Sequence, residues 1–480
     1  MQTELPELWE HQKEVARRAK EFDYFALFLE PGVGKTAAAI AILREKYEKH
    51  RMIMPTLILC PPVVISNWKR EILMWSKIRP EKILLLVGTG KERAEAIRTC
   101  PFNTIIITNY ESLNMMSVLE ELKRFLIRQP SCLILDESHK CKDISSKRTK
   151  RAIELSDITT YRYILTGTPI LNSLMDIFSQ FRILDRGERF GDNYFSFRAK
   201  FFEDKNKHMP GRSYFPNWQP ISRAEETIKE IIYPVSMHIE KAKCLTLPPL
   251  VKKVIEVPLG GHQARMYEEM KKDLIATIEL ENGEERHSIA ELAITKALRL
   301  QQIVSGHVRI AGLGEESKTI QIKDNPRKDI LRQLLEDLVP HHKVLVWAVF
   351  HANYDDIREV CRELKIEFAE LHGQIKDRDA QISKFNTERK CRVLIGHPGS
   401  GGIGVNLVPA SYSIFYSRSF SLEFDIQAEA RNYRGGSEIH ESITRIDLCC
   451  PGTIDELVMK SLASKTALSD SVLKSHLQEI

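Results

Sequence analysis

Glu30-Pro31-Gly32-Val33-Gly34-Lys35-Thr36 decides the fold, because of what lies on either side of it. Tyr24 to Leu29 is a continuous apolar run that reads as a buried strand, and Lys35 to Lys49 opens on alanines and reads as a helix. A glycine-rich loop between a buried strand and a helix can wrap backbone N–H groups around phosphate oxygens. Gly32, Val33 and Gly34 supply that curling backbone, Lys35 neutralises charge on the β/γ-phosphates, and Thr36 offers a hydroxyl to Mg2+. The strict form of this loop asks for glycine at position 29, where Leu29 stands.

Further along, Leu133-Ile134-Leu135-Asp136-Glu137-Ser138-His139 supplies the other half of a magnesium-phosphate site. Three apolar residues set Asp136 at the C-terminal end of a buried strand, where its carboxylate holds Mg2+ through water. Glu137 beside it is the natural base or orienter for an attacking water. Thr166-Gly167-Thr168-Pro169 closes the next strand with small polar groups able to sense the γ-phosphate. Upstream, Gln12 can make two hydrogen bonds to an adenine edge, although a surface glutamine is the commoner role. Late in the chain, Gln427 to Arg434 reads as a helix carrying Arg431 and Arg434, which could reach a phosphate held by another domain. Together these features predict nucleoside triphosphate hydrolysis at a site split between domains.

The chain has 480 residues, too many for one compact core, so two or three domains are expected. Its charged fraction of 28% and hydrophobic fraction of 43% fit a globular protein and argue against disorder. A net charge of +5 is only mildly basic, a weak pointer to nucleic acid on its own. Nine cysteines show neither a C-x-x-C pair nor zinc spacing with histidine, which suits a reduced compartment. Met1 to Glu10 has no basic-then-apolar signal and no apolar run reaches the roughly 20 residues of a membrane span, so a cytoplasmic protein without a membrane is expected.

Apolar runs at Thr56 to Cys60, Ile83 to Val87, Thr104 to Thr108, Cys132 to Leu135 and Tyr163 to Thr166 join Tyr24 to Leu29 as parallel strands of a first lobe. Lys343 to Val349, Ile366 to Leu371, Cys391 to Ile395, Ser413 to Ser417 and Ile443 to Leu448 make a second set. Between them, Phe178 to Lys205, Ala224 to Ile232 and Gly261 to Val308 carry helical periodicity, and Pro248-Pro249 marks an extended crossing. The expected division is residues 1–185 for the ATP-binding lobe, 186–325 for helical protrusions and linker, and 326–480 for the second lobe.

These motifs, in this order, resemble superfamily 2 nucleic-acid motors, specifically the Swi/Snf-type ATPases. Leu29 to Thr36 is similar to that family's D-E-M-G-L-G-K-T, with Leu29 and Pro31 as departures. Asp136 to His139 matches D-E-x-H, and Lys142, Ser146 and Lys147 match the segment after it, with Asp143 in place of asparagine. Ile164 to Leu174 follows L-T-G-T-P-x-x-N-x-L, and Gly401 to Leu407 follows A-G-G-x-G-x-N-L except for Ser400. Gln427, Arg431, Arg434 and Gly436 meet Q-x-x-G-R-x-x-R-x-G-Q, with Ala430 and Ser437 as changes. The end of the second lobe, from Gly452 to Glu456, resembles the C-terminal brace helix of this family. The resemblance runs from about Leu8 to about Leu473 and is closest to short bacterial and phage members.

The resemblance implies an α/β fold of two RecA-like parallel-sheet lobes with helical protrusions between them. It implies ATP and Mg2+ in the cleft, Gly404 among the nucleotide-binding residues, and double-stranded DNA as the track. Asn67, Trp68, Asn109, Lys142 and Lys147 resemble segments by which relatives grip the DNA backbone, and Gly373, Gly401 and Gly402 could offer backbone donors to phosphates. A tryptophan at a helix start also packs inward, so Trp68 fits a core position equally well. A translocating monomer is expected, with room for a protein partner that the sequence does not name. A strand-separating helicase and an ATP-gated clamp are the rival readings.

Overall fold

The computed structural model describes residues 5–128, 130–207, 216–280, 286–310, 318–399 and 405–473. In the first lobe, strands β1 (Tyr24–Leu29), β2 (Thr56–Cys60), β3 (Ile83–Leu85), β4 (Ile105–Asn109), β5 (Cys132–Asp136) and β6 (Tyr161–Leu165) join one parallel sheet. A small antiparallel hairpin, β7 (Phe202–Asp204) with β8 (Trp218–Pro220), stands outside it. Strand β9 (Ser236–Ile239) returns to the sheet and pairs with β1, giving the order β3-β4-β2-β5-β6-β1-β9.

The continuous apolar runs are explained by burial on both faces. Phe25, Leu27, Leu29, Ile58, Ile134 and Leu165 point into one core cluster, and Ala26, Phe28, Leu57, Leu59, Leu133 and Ile164 into the other. Helices α1 (Glu10–Lys20), α2 (Lys35–His50) and α3 (Ile65–Trp75) lie on the first of these faces, with Val15, Ile40 and Ile72 in its cluster.

The second lobe repeats the plan. β10 (Leu250–Glu256) is its edge strand, β11 (His307–Ile310) and β12 (Lys318–Gln321) form a separate hairpin, and β13 (Lys343–Trp347), β14 (Glu367–Leu371), β15 (Cys391–Gly396), β16 (Ala410–Phe415) and β17 (Ile443–Cys449) complete the sheet. Its order is β10-β17-β16-β13-β15-β14, parallel throughout. The two parallel-sheet lobes are therefore as expected.

The segment from 186 to 325 holds the expected helices, including Ala224–Ile232, Gly261–Leu280 and Arg286–Val304, but it also gives an edge strand to each sheet, β9 and β10. The helical stretch expected from Phe178 breaks into Asp176–Asp185 and Tyr194–Phe201, separated by Arg186, Gly187 and Gly191 at φ 60°, 83° and 78°. The C-terminal helix Ile454–Leu473 sets Val458 and Leu462 against Leu171 of the first lobe and Leu422 of the second. Arg327 ties the start of that helix down, donating to the Tyr416 carbonyl at 2.6 Å and pairing with Asp455.

One expected element is corrected. The helix read through Arg434 stops at Glu429, so Arg431 and Arg434 lie in the turns beyond it. The reason is competition from a neighbouring segment: the Arg431 carbonyl accepts from Leu407 N–H at 3.0 Å, and Asn432 Nδ2 donates to the Ala410 carbonyl at 3.1 Å.

Candidate active site between the two lobes

In the first sheet β6 lies between β1 and β5. The glycine loop after β1, Thr166 after β6 and Glu137 after β5 therefore leave the C-terminal edges of three adjacent strands, where open α/β sheets bind ligands.

Gly32 and Gly34 adopt φ 97° and 79°, the left-handed region that a side chain disfavours, and Gly34 is the N-cap of α2. Val33 is buried, and its carbonyl accepts from His11 Nε2 at 2.8 Å. Gln12 is also buried; its Oε1 accepts from Trp9 N–H at 2.9 Å, and its Nε2 lies 3.5 Å from the Gly34 carbonyl. Lys35 is buried, donates to the Leu29 carbonyl at 3.2 Å, and stands 3.7 Å from Glu137 Oε1. Thr36 follows on the first turn of α2, partly exposed.

Asp136 and Glu137 are both buried. Burial and the adjacent Glu137 push the Asp136 carboxyl above its ordinary range. Burial pushes Glu137 the same way, but Lys35 and His139 outweigh it and hold this carboxylate low. Its backbone sits at φ 54°, ψ 55°, a left-handed conformation costly for a non-glycine residue and concentrated at functional sites. Thr166 Oγ1 donates to Glu137 Oε2 at 3.3 Å and lies 2.9 Å from His139 Nδ1. The opposed surroundings favour an ionised Glu137 beside a carboxyl, Asp136, whose charge burial disfavours.

From the second lobe, Arg431 is 4% exposed, and its Nε has no acceptor among the described residues. Burial lowers its guanidinium to about 9, with Arg434 acting in the same direction and Glu137 opposing them. Arg434 backs onto the glycine loop, so that a Cβ placed on Gly32 would lie 3.2 Å from Arg434 Cβ. Its Nη1 donates to the Val405 carbonyl at 3.3 Å. A buried guanidinium whose Nε lacks an acceptor among the described residues, a buried lysine and a left-handed glycine loop fit a nucleoside triphosphate between the lobes. Among the described residues no group of three or more His, Cys, Asp or Glu side chains could hold a metal ion by itself. Thr36 and Asp136 fit the usual Mg2+ arrangement, in which one or two protein ligands act with phosphates and water.

Sequence reasoning missed three contributors. Trp68 is 1% exposed and its indole Nε1 donates to Asp136 Oδ2 at 2.8 Å, so its expected place at the nucleic acid is corrected to a buried partner of the Asp136 carboxylate. Lys241 is buried; its backbone N–H donates to Glu30 Oε2 at 3.0 Å and its Nζ to the Tyr433 carbonyl at 3.2 Å. Glu423 meets Lys140 at 2.8 Å across the cleft. Only the tryptophan carried a signal, its position at a helix start.

The remaining nucleic-acid candidates are spread over the surface. Asn67 accepts from Arg70, and Asn109 caps a helical turn by accepting from Ser112 N–H at 3.0 Å. Lys142 lies 3.8 Å from Asp176, whereas Lys147 and Gly373 are exposed. Lys147 lines a surface cleft of about 600 Å3 with Glu111, Asn114, Arg148 and Arg151. Gly401, Gly402 and Gly404 lie outside the described residues. No helix among the described residues is long and apolar enough to cross a membrane.

The fold and site define a two-lobed P-loop protein of the helicase type. Residues 20–307 match the SNF2-related domain and residues 326–436 the helicase conserved C-terminal domain, so the chain belongs to the SNF2-related family. Protein p41 of the Acyrthosiphon pisum secondary endosymbiont phage 1 is 28% identical, over 92% of this chain and 93% of that protein. An uncharacterized ATP-dependent helicase of Mycoplasma genitalium is 25% identical, over 97% of this chain and 43% of its own length. Human DNA repair and recombination protein RAD54B is 24% identical, over 92% of this chain and 51% of its own length. The chain thus spans nearly all of the phage relative but only about half or less of the other two.

Proposed function

We propose that this chain is an ATP-driven translocase on double-stranded DNA. The observation that carries the reading is Arg431, a second-lobe guanidinium buried without an acceptor for its Nε among the described residues and electrostatically coupled to Glu137 of the first lobe. Lys35 binds the β/γ-phosphates, Glu137 orients and activates the attacking water, and Arg431 stabilises charge as the γ-phosphoryl departs. Arg434, backed onto the glycine loop, helps hold the phosphates. Mg2+, held by Thr36 and Asp136, would neutralise phosphate charge in the transition state. Gln12, whose Nε2 lies 3.5 Å from the Gly34 carbonyl, supports the loop and is the proposed contact to the adenine edge.

Because half of the site belongs to each lobe, phosphate contacts favour closure and their loss favours opening. The name of the RAD54B relative speaks for DNA as the partner, and the Mycoplasma relative's name speaks for ATP as the fuel. Lys147, Arg148 and Arg151 at the 600 Å3 cleft, with Lys142, Asn67, Asn109 and Gly373, are the proposed phosphate contacts. Such contacts carry little base information, so sequence preference is slight.

The test compares ATP hydrolysis without nucleic acid and with single-stranded DNA, duplex DNA and duplex RNA, beside triplex-displacement and forked-duplex unwinding assays. Strongest stimulation by duplex DNA with triplex displacement is expected. Efficient fork unwinding without triplex displacement would replace the translocase with a strand-separating helicase.

A further inference from the structure

Glu423 lies in the first turn of the Leu422–Glu429 helix, whose N-cap Ser421 accepts from Phe424 N–H at 3.3 Å. A carboxylate is favoured in that first turn by the helix dipole. Its Oε1 accepts from Lys140 Nζ at 2.8 Å and from Gln427 Nε2 at 3.2 Å. Its Oε2 lies 3.3 Å from His139 Nε2, within ion-pair distance but without hydrogen-bond alignment. On the opposite edge of the same ring, His139 Nδ1 lies 3.2 Å from Glu137 Oε2 and 2.9 Å from Thr166 Oγ1. One imidazole, 2% exposed, therefore stands between two carboxylates that belong to different lobes.

We propose that Glu423 is a positioning residue that reports lobe closure to Glu137 through His139. With the lobes together, Glu423 engages His139 from the second-lobe side and Lys140 beside it. The ring is then fixed on both edges, and Glu137 is held in its left-handed backbone position with its carboxylate toward Lys35 and Thr166. With the lobes apart, His139 loses its outer partner and Glu137 loses a constraint. Hydrolysis is thereby tied to the closed arrangement by contacts separate from Arg431. The inference rests on the ATPase reading above and adds a residue to it.

The experiment is a double-mutant cycle between Glu423 and His139, read as kcat and KM for ATP with and without duplex DNA. Glu423→Ala is expected to lower DNA-stimulated kcat by about 10- to 100-fold, the range for a reacting group that loses its support, with little change in KM. Glu423→Gln, which keeps the shape and can still accept from Lys140, is expected to lose most of the same activity because the charge facing His139 is gone. In a His139→Gln background, Glu423→Ala should cost little more. Melting curves identify any variant that fails to fold, and Glu423→Gln is the variant that disturbs packing least. Wild-type kcat in folded Glu423→Gln and Glu423→Ala, a rise in DNA-free turnover, or fully additive losses would each overturn the proposal. If duplex DNA fails to stimulate the wild type, the translocase reading falls, yet the cycle on DNA-free turnover still decides the role of Glu423.

Discussion

Replacing Trp68 with phenylalanine tests the claim that this residue serves Asp136, the carboxylate proposed to hold Mg2+. Trp68 is 1% exposed and belongs to the core cluster on the α3 face of the first sheet, while its indole N–H donates to Asp136 Oδ2 at 2.8 Å. Phenylalanine keeps an aromatic ring in that core and deletes the donor. A hydrogen bond to a charged group contributes about 1.5–3 kcal/mol, and the smaller ring leaves a cavity worth roughly 1 kcal/mol, so a stability loss of about 2.5–4 kcal/mol is expected. The donor also favours the ionised form of Asp136 against burial, so its loss raises a carboxyl already pushed up. Mg2+ dependence of ATP hydrolysis should therefore shift to higher concentration by roughly 10- to 100-fold, as when an outer partner of a metal ligand is removed. Trp75, on the same helix, donates to Glu71 Oε2 at 2.9 Å and is the control. Trp75→Phe should leave the Mg2+ titration unchanged. Denaturant unfolding and a Mg2+ titration of turnover are the assays. An unchanged Mg2+ dependence in folded Trp68→Phe, with weaker DNA binding instead, would refute the reasoning and return Trp68 to the nucleic-acid surface.

Lys35→Ala should abolish ATP hydrolysis, whereas Glu137→Gln should keep nucleotide binding and stop turnover; binding and phosphate release measured side by side separate the two roles. Arg431→Ala should cut stimulated kcat by on the order of 10³-fold, as for an arginine finger, and a folded variant with wild-type turnover would make it a structural residue. Asp356 is a pH handle in the second lobe: burial raises its carboxyl to about 7, while Gln321 donates to it at 2.9 Å. A carboxyl raised on folding is most stabilising below its unfolded value near 4, and that contribution is lost as pH climbs through about 7. Melting temperature should accordingly fall between pH 5 and 7.5 (about the span of that titration), and Asp356→Asn should flatten the fall.

The legible parts were those with local causes. β1 and β2 run from Tyr24 to Leu29 and Thr56 to Cys60 as read, because each is apolar on both faces and bounded by turns. The edge strands escaped notice for the opposite reason. Ser236-Met237-His238-Ile239 and Leu250-Val251-Lys252-Lys253-Val254-Ile255-Glu256 are each paired on one side only, and most of β10 is exposed, so neither shows a buried run. At the site, Lys35, Asp136 and Glu137 were readable because the loop chemistry sits within a few consecutive residues. The indole bond from Trp68 to Asp136 spans 68 residues and the Lys140–Glu423 pair spans 283, and no periodicity encodes either. Arg431 was found as a residue and misassigned as to element, because the turn that carries it is set by distant backbone at Leu407 and Ala410.

The two kinds of cross-lobe contact divide the work of coupling. Glu423 brings negative charge to His139 and Lys140, a pairing made entirely by protein groups. Arg431 brings positive charge into the same cleft, where burial disfavours it and its Nε lacks an acceptor among the described residues. Burial of a guanidinium is costly, and a γ-phosphate can offset that cost. Closure is thus supported by one contact independent of nucleotide and opposed by another until an anion arrives. A ligand shifts such an equilibrium only by its differential affinity for the two states, and in the proposed mechanism Arg431 is where this chain makes that difference. Loss of phosphate removes the partner of Arg431 while leaving Glu423 unchanged, so the opening step falls on the arginine side of the cleft.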